Sequence, residues 1–271
     1  MSASPVPISR PDSRLVDALH PSLNFGPRKD DAKPDLLLLH YTGVASAATA
    51  ISWLADSRSQ VSCHYVVDLD GRITQMVAEA DRAWHAGAGS WAGESDINSR
   101  SIGIEIQNVG HVAGYPDFPD VQIAAVIALC QDIITRHAIA PERLLAHSDV
   151  APSRKIDPGE KFPWGLLAAA GVGHWIAPSP IVPSDEGLDC GSTDARVAQM
   201  QTGLRAYGYG IDVTGVLDTD TAFVVKAFQR HFRPERVDGR IDASSLATLD
   251  TLRAALRATS QRACRPPGDL S

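Results

Sequence analysis

Four consecutive leucines that end at a histidine place the strongest constraint on how this 271-residue chain can fold. The segment Asp35-Leu-Leu-Leu-Leu-His40 is a short apolar run, which is typical of a buried strand, and its last residue is polar. Residues 45–55 then favour a helix. Two further stretches, residues 61–67 and 72–77, bracket Asp70-Gly71. That pair favours a β-hairpin with a type I′ turn, because such a turn needs positive φ.

A second strand and a longer helix follow with clear periodicity. The segment Ser101-Ile-Gly-Ile-Glu-Ile-Gln107 alternates with period two, so its three isoleucines share one face of a strand. Residues 119–138 carry apolar side chains at helical spacing, and residues 143–147 form another short strand that ends at a histidine. Strands interleaved with helices predict an α/β fold with a mixed central β-sheet flanked by helices.

Composition divides the chain into three parts. The interleaved strands and helices predict one domain over residues 16–175. Residues 176–192 have the proline-rich composition of a linker. Beyond it, Gly215-Val-Leu-Asp218 and Gly239-Arg-Ile-Asp242 form a weak repeat in which each Asp is placed as a helix N-cap. We therefore predict a small three-helix domain over residues 193–260.

The four cysteines contain no C-x-x-C pair, which argues against a cysteine zinc site or a dithiol redox motif. Cys190 and Cys264 flank the C-terminal segment. A disulfide between them stays open, because the sequence does not show how close their Cα atoms come.

Charge and hydropathy exclude two classes of partner. The formal net charge is −7 at pH 7, which argues against a nucleic-acid-binding protein. No apolar run approaches the roughly 20 residues that a membrane helix requires, so we predict no transmembrane segment. The N-terminal segment Met1-Ser-Ala-Ser-Pro-Val-Pro lacks the basic start and apolar core of a secretory signal. A cytoplasmic location and export by another route therefore both stay open.

Two histidines at strand ends become a candidate metal site through the residues that accompany them. His147 opens the segment His147-Ser-Asp-Val-Ala-Pro-Ser-Arg-Lys155-Ile-Asp157, which supplies a carboxylate ten residues later. Two imidazoles and one carboxylate, here from His40, His147 and Asp157, are enough for a catalytic zinc that keeps its fourth position for water. In an extended segment, Lys155 and Asp157 point the same way.

Amide hydrolysis at such a zinc needs a base that guides the water and a cation for the developing oxyanion. Glu105 suits the base, because it is the only charged residue on its strand and Gly103 beside it leaves that face open. Lys155 suits the oxyanion role. The alternative for each residue alone is an ordinary surface side chain.

Five pieces of residues 36–164 form a recognisable set: Leu39-His40-Tyr-Thr, Val61-Ser-Cys-His64-Tyr65, Ala83-Trp84-His85-Ala-Gly87, Asn98-Ser-Arg-Ser101-Ile-Gly-Ile-Glu105 and the segment that starts at His147. In these pieces the chain resembles the zinc-dependent N-acetylmuramoyl-L-alanine amidases related to AmpD and AmiD, which are akin to phage T7 lysozyme and peptidoglycan-recognition proteins. The resemblance implies Zn²⁺ on His40, His147 and Asp157, with Glu105 as catalytic base and Lys155 stabilising the transition state. It also implies cleavage between the lactyl group of N-acetylmuramic acid and the L-alanine of the stem peptide.

The C-terminal segment resembles a common peptidoglycan-binding domain, in pieces such as Val197-Ala-Gln-Met-Gln201, Ala227-Phe228-Gln229 and Val237-Asp-Gly-Arg-Ile-Asp242. Thr214 stands where that domain usually has Asp before its first glycine. The resemblance implies peptidoglycan or muropeptide as the partner, and we expect a monomer. A wall-binding unit favours the periplasm or cell envelope, with the cytoplasm as the alternative.

Five further residues of the matching pieces are candidates for substrate binding or for supporting the metal ligands: His64, Tyr65, Trp84, His85 and Asn98. A structural role is the alternative for His64, and a loop-stabilising role for His85. Two other functions stay open for the chain. One is a peptidoglycan-recognition protein that binds without cutting, and the other is a peptidase that cuts elsewhere in the stem peptide.

Overall fold

The computed structural model describes residues 6–263, and the side chains of residues 6–258. Cys190 is exposed, whereas Cys264 lies outside the described residues, so the disulfide between them remains untested. Within the described part of the chain, no helix is both long and apolar enough to cross a membrane.

The strands of the described residues are β1 (Ala18–Leu19), β2 (Phe25–Gly26), β3 (Leu36–Tyr41), β4 (Tyr65–Val67), β5 (Ile73–Gln75), β6 (Arg82–Ala83), β7 (Ser101–Ile106) and β8 (Leu144–Ala146). Six of them form a mixed sheet in the order β1-β5-β4-β7-β3-β8, and β2 pairs with β6 separately. Within the main sheet, β4 and β5 are antiparallel and the other neighbours are parallel.

Helices flank this sheet and form the C-terminal part of the chain, which confirms the predicted α/β class. Short 3₁₀ turns lie at Lys29–Asp31, His111–Ala113 and Pro141–Arg143. The α-helices of the described residues are α1 (Ala47–Ala55), α2 (Ile97–Arg100), α3 (Asp120–His137), α4 (His147–Val150), α5 (Trp164–Ala169), α6 (Ala195–Tyr207), α7 (Thr219–Phe232) and α8 (Ala243–Ala263).

Two local predictions need correction. The hairpin between β4 and β5 forms, but Gly71 has φ of 85° while Asp70 has no positive φ, so its turn is not type I′. His147 does not end a strand: β8 stops at Ala146, and His147 begins the helical turn α4. At both turns, hydrogen bonds among nearby residues determine the backbone conformation.

The two faces of the sheet have different environments. The isoleucines of β7 pack with α3 in one core, as their alternation predicts. On the opposite face, β3 and β7 carry His40, Gly103 and Glu105. The parallel register of these strands places His40 directly opposite Glu105.

The C-terminal helices pack on that same opposite face. Asp218 and Asp242 cap α7 and α8, as predicted, by accepting hydrogen bonds from Thr221 N and Ser245 N. One continuous apolar core joins the helices to the sheet; its members include Leu36, Leu38, Trp91, Leu145, Val197, Tyr209, Val224 and Phe228. Part of the predicted linker is also anchored, because Leu188 pairs with Ile241 and Ser179 N donates to Thr248 Oγ1.

A buried carboxylate in α4 ties these two parts together. Asp149 is 1% exposed, and its Oδ1 accepts a 2.7 Å hydrogen bond from the Tyr209 hydroxyl. Its Oδ2 accepts from Ala146 N and lies 2.7 Å from His231 Nδ1. His231 stacks on Trp164 at a ring-centroid distance of 3.7 Å. The helical unit is therefore held against the turn that begins with His147.

Glu79 ties α3 to the sheet on the other side of the molecule. It is 3% exposed, accepts a 2.6 Å hydrogen bond from the Tyr65 hydroxyl, and pairs with Arg136 and His137. Burial opposes its ionisation, but the hydrogen bonds from Arg136, His137 and Tyr65 prevail and lower its pKa from 4.5 to about 2.

We expect the Glu79 contribution to stability to be complete above pH 4.5 and to disappear as the pH falls toward 2, because the depressed pKa favours the folded state only while the carboxyl is ionised. Glu79→Gln should lower the free energy of unfolding at neutral pH by about 3 kcal/mol and flatten its acid dependence. Urea denaturation at pH 7, 5 and 3 measures both effects. Equal pH slopes for variant and wild type would contradict the assignment.

Candidate metal centre and active site

Three side chains from separate segments converge on one point. His40 extends from β3, His147 opens α4, and Asp157 lies in the loop that follows. His40 Nδ1 lies 2.8 Å from His147 Nδ1, and Asp157 Oδ2 lies 3.2 and 3.0 Å from those two nitrogens. All three residues are buried.

The geometry of this triad fits a tetrahedral zinc ion. Zinc bonds of about 2.0–2.2 Å to nitrogen and oxygen separate neighbouring ligand atoms of a tetrahedral site by about 3.3–3.6 Å. The observed distances of 2.8, 3.2 and 3.0 Å are a few tenths of an ångström shorter. Burial alone would raise the pKa of Asp157, but the adjacent His147 and His40 imidazoles hold it well below its ordinary value. Burial, aided by His147, lowers the pKa of His40 to about 4. At neutral pH the triad therefore offers a carboxylate at Asp157 and a neutral imidazole ring at His40.

The second nitrogen of His147 shows which atom of that ring is free to bind a metal. Its Nε2 lies 3.0 Å from the backbone oxygen of Ala86. A carbonyl oxygen only accepts, so Nε2 carries the proton and Nδ1 presents a lone pair to the triad. Metal-binding histidines commonly have such an acceptor on their other nitrogen.

Glu105 stands beside the triad with an oxygen that has no protein partner. Its residue surface is partly exposed, but Oε2 is buried and has no hydrogen-bond partner among the described residues. Burial raises its pKa well above the ordinary value, the charge of Asp157 raises it further, and Lys155 acts in the opposite direction. An unpartnered buried carboxyl oxygen beside a candidate metal centre calls for a functional explanation.

A cavity of about 400 Å³ contains both the triad and Glu105. Lys155 and Arg154 also line it. The apolar part of the wall includes Trp53, Val61 and Trp84, and Trp53 is 55% exposed. A second cavity of about 540 Å³ lies between residues 150–154 and the C-terminal helical unit, and Arg154 lines both cavities.

The structure separates the five supporting candidates. Trp84 lines the cavity, and His85 Nδ1 lies 3.0 Å from His40 Nε2. Asn98 Oδ1 accepts hydrogen bonds from the backbone nitrogens of His85 and Ala86, so it holds that loop.

His64 and Tyr65 lie away from the triad. His64 Nδ1 accepts from Gly103 N, and burial, aided by Arg28, lowers its pKa to about 3. Tyr65 packs in the core beneath α3 and donates to Glu79, so the structure does not place it in the cavity. Its strand position alone does not reveal this, because the direction of the side chain depends on the partners across the sheet.

The predicted open face beside Glu105 is also corrected. A Cβ at Gly103 would lie 2.4 Å from His85 Nδ1, so the imidazole of His85 fills this space. Two lining residues, Arg154 and Trp53, were not predicted from the sequence. Arg154 precedes Lys155 within the segment that starts at His147. No pattern in the sequence of α1 indicates that Trp53 would line a cavity.

We expect the protein to bind one zinc ion. Asp157→Ala should weaken zinc binding by more than about 100-fold, which exceeds the usual effect of removing a residue that only hydrogen-bonds to a metal ligand. The reason is that two neutral imidazoles alone would leave the cation without its anionic ligand. Competition with a chromogenic chelator measures the affinity. Asp117→Ala, which removes a carboxylate whose side chain is 87% exposed, is the matched control. Equal affinities for the two variants would contradict the ligand set.

Comparison with known proteins adds independent information. A family model described as N-acetylmuramoyl-L-alanine amidase matches residues 30–160, and one for a peptidoglycan binding domain matches residues 193–249. The chain is 37% identical to the N-acetylmuramoyl-L-alanine amidase AmiD of Escherichia coli, over 80% of this chain and 81% of that protein. It is 31% identical to the 1,6-anhydro-N-acetylmuramyl-L-alanine amidase AmpD of Citrobacter freundii, over 55% of this chain and 87% of that one.

Two solved structures share the fold. Escherichia coli AmiD, in complex with the substrate anhydro-N-acetylmuramic acid-L-Ala-D-γ-Glu-L-Lys, superposes with a TM-score of 0.70 and 34% identity, covering 83% of this chain and 91% of that chain. AmpDh3 of Pseudomonas aeruginosa superposes with a TM-score of 0.71 and 32% identity, covering 84% and 95% respectively.

Proposed function

The chain belongs to the N-acetylmuramoyl-L-alanine amidase family, and we propose that it cleaves the N-acetylmuramic acid–L-alanine bond with a zinc ion held by His40, His147 and Asp157. The observation that carries this proposal is the shared cavity, which is lined both by the triad and by Glu105, whose Oε2 has no hydrogen-bond partner among the described residues. Membership of the family supports peptidoglycan amidase activity. The zinc mechanism and the roles of the individual residues are our proposal.

A zinc ion bound at the triad would acidify a water molecule and polarise the scissile carbonyl. Glu105 would accept the proton of the attacking water and then deliver it to the leaving amine. Burial raises the pKa of Glu105, which favours return of the proton from its carboxyl group to the leaving amine.

Lys155 would stabilise the negative charge that develops on the carbonyl oxygen. It lines the same cavity as Glu105, and its cationic group favours the ionised form of that carboxyl. The role of Lys155 is therefore electrostatic in both the resting site and the transition state.

We further propose that substrate occupies the main cavity and extends past Arg154 toward the C-terminal helical unit. Muropeptides are the appropriate class, because AmiD and AmpDh3 have been solved with anhydromuramyl peptides. Arg154 lines both cavities, so the second cavity lies next to the first, in a position to receive a chain of sugars or peptide that leaves the metal centre. A peptidoglycan-binding unit at this position favours a cell-envelope location, which fractionation of cells and immunoblotting would test.

We expect Glu105→Gln to retain zinc and the fold but to lose about 100- to 10,000-fold in turnover, because the amide has the size of the carboxylate and cannot take the proton. Glu186→Gln, which alters an exposed carboxylate outside the cavity, is the matched control. Muropeptide hydrolysis followed by mass spectrometry measures the effect, and metal analysis of each variant accompanies it.

The products distinguish the competing functions. Release of an intact stem peptide beginning with L-alanine, abolished by a chelator and restored by Zn²⁺, is the expected result. Intact substrate in the presence of zinc would instead identify a binding protein. A product that keeps L-alanine on the sugar would identify a peptidase. Loss of zinc from Glu105→Gln would show that Glu105 is a ligand.

A further inference from the structure

A buried chain of hydrogen bonds runs behind His40, away from the metal position. His40 Nε2 lies 3.0 Å from His85 Nδ1, and His85 Nε2 lies 3.2 Å from Ser101 Oγ. Ser101 Oγ in turn lies 2.7 Å from the backbone oxygen of Ile97. His40, His85 and Ser101 are each at most 9% exposed.

The end of this chain sets the direction of every proton in it. A backbone carbonyl only accepts, so the hydroxyl proton of Ser101 points to Ile97. Ser101 Oγ can then only accept from the imidazole, which places a proton on His85 Nε2. A neutral imidazole carries one N–H, so once Nε2 of His85 holds the proton its Nδ1 holds a lone pair. That lone pair accepts from His40 Nε2–H.

We propose that Ser101 and His85 are positioning residues that fix the tautomer of His40, so that its Nδ1 lone pair faces the metal position. This inference rests on the proposed function, because it gives the His40 tautomer its role in zinc binding. The opposite tautomer would direct an N–H at the position of the ion. It would also break the 2.7 Å bond between Ser101 and Ile97, because the hydroxyl would have to turn toward His85 Nε2.

His40 needs such a chain more than His147 does. The outward nitrogen of His147 faces a carbonyl oxygen, which admits only one tautomer. The outward nitrogen of His40 faces another imidazole, which can either donate or accept. Without Ser101, the protons of the His40–His85 pair could therefore take either of two arrangements. The hydrogen bond from Ser101 to Ile97 excludes one of them.

Gly103 supplies the space that this arrangement requires. A Cβ at position 103 would meet the Nδ1, Cγ and Cε1 atoms of His85 at 2.4–2.6 Å. Gly103 lies within β7 without positive φ, so its lack of a side chain serves this contact and not a turn. The backbone nitrogen of His85 is held separately by Asn98 Oδ1 at 3.0 Å.

The test compares Ser101→Ala with Ser99→Ala. Ser99 is also buried, lies two residues away, and accepts hydrogen bonds from Lys29 N and Arg82 Nε without contacting His85. Nitrogen NMR of ¹⁵N-histidine-labelled, metal-free protein reports the protonated nitrogen of each ring, and chelator competition reports zinc affinity. Neither readout uses turnover, so failure of the proposed activity would be distinguishable from failure of this inference.

We expect wild type and Ser99→Ala to show His85 protonated on Nε2 and His40 protonated on Nε2. In Ser101→Ala the pair should partly reverse, because the carboxylate of Asp157 attracts a proton on His40 Nδ1 once the restraint is gone. Zinc affinity should fall about 10-fold in this variant. His85→Asn, which keeps an acceptor near the Nδ1 position, should bind zinc more tightly than His85→Ala.

Two results would overturn the proposal. One is a wild-type protein whose metal-free form already carries the His40 proton on Nδ1. The other is a folded Ser101→Ala variant with the same tautomers and zinc affinity as Ser99→Ala. Because each serine variant removes one buried hydroxyl, a general loss of stability would affect both.

Discussion

The parallel pairing of β3 with β7 is the constraint on which the rest of the site depends. Its register sets His40 opposite Glu105, and strand alternation directs both side chains to the face away from α3. A shift of one residue in either strand would turn a whole set of side chains to the other face. The leucines of β3 and isoleucines of β7 hold this register by filling the core, so apolar packing positions the polar chemistry.

The buried side chains of the triad are oriented by hydrogen bonds from residues outside it. The carbonyl of Ala86 orients His147, and Asn98 holds the loop that carries both Ala86 and His85. These contacts come from backbone groups and short side chains with few accessible conformations. A metal centre built this way loses little conformational entropy when it binds an ion, because its ligands are already ordered.

The short helix α4 connects the two parts of the molecule. His147 at its start faces the triad, while Asp149, two residues later, binds Tyr209 and pairs with His231 in the helical unit. The C-terminal helices also share a continuous apolar core with the sheet. The C-terminal helical unit is therefore held in a defined position beside the proposed metal centre.

The sequence alone determined the α/β class, the approximate bounds of β3, β7 and α3, the helix caps at Asp218 and Asp242, and the family to which the chain belongs. These features depend on local periodicity, on capping chemistry, or on motifs whose residues are close together in the chain. The same motifs named every member of the proposed triad, with Glu105 and Lys155 beside it. Their proximity, but not their roles, is now visible in the structure.

Only the tertiary structure decided how residues distant in sequence meet. It turned Tyr65 toward Glu79, filled the space above Gly103 with the ring of His85, and anchored the helical unit through Asp149. None of these contacts has a sequence pattern, because each depends on strand register and loop packing between segments far apart in the chain. The residue types of the proposed metal centre were therefore predictable from sequence, whereas the buried contacts that surround it were not.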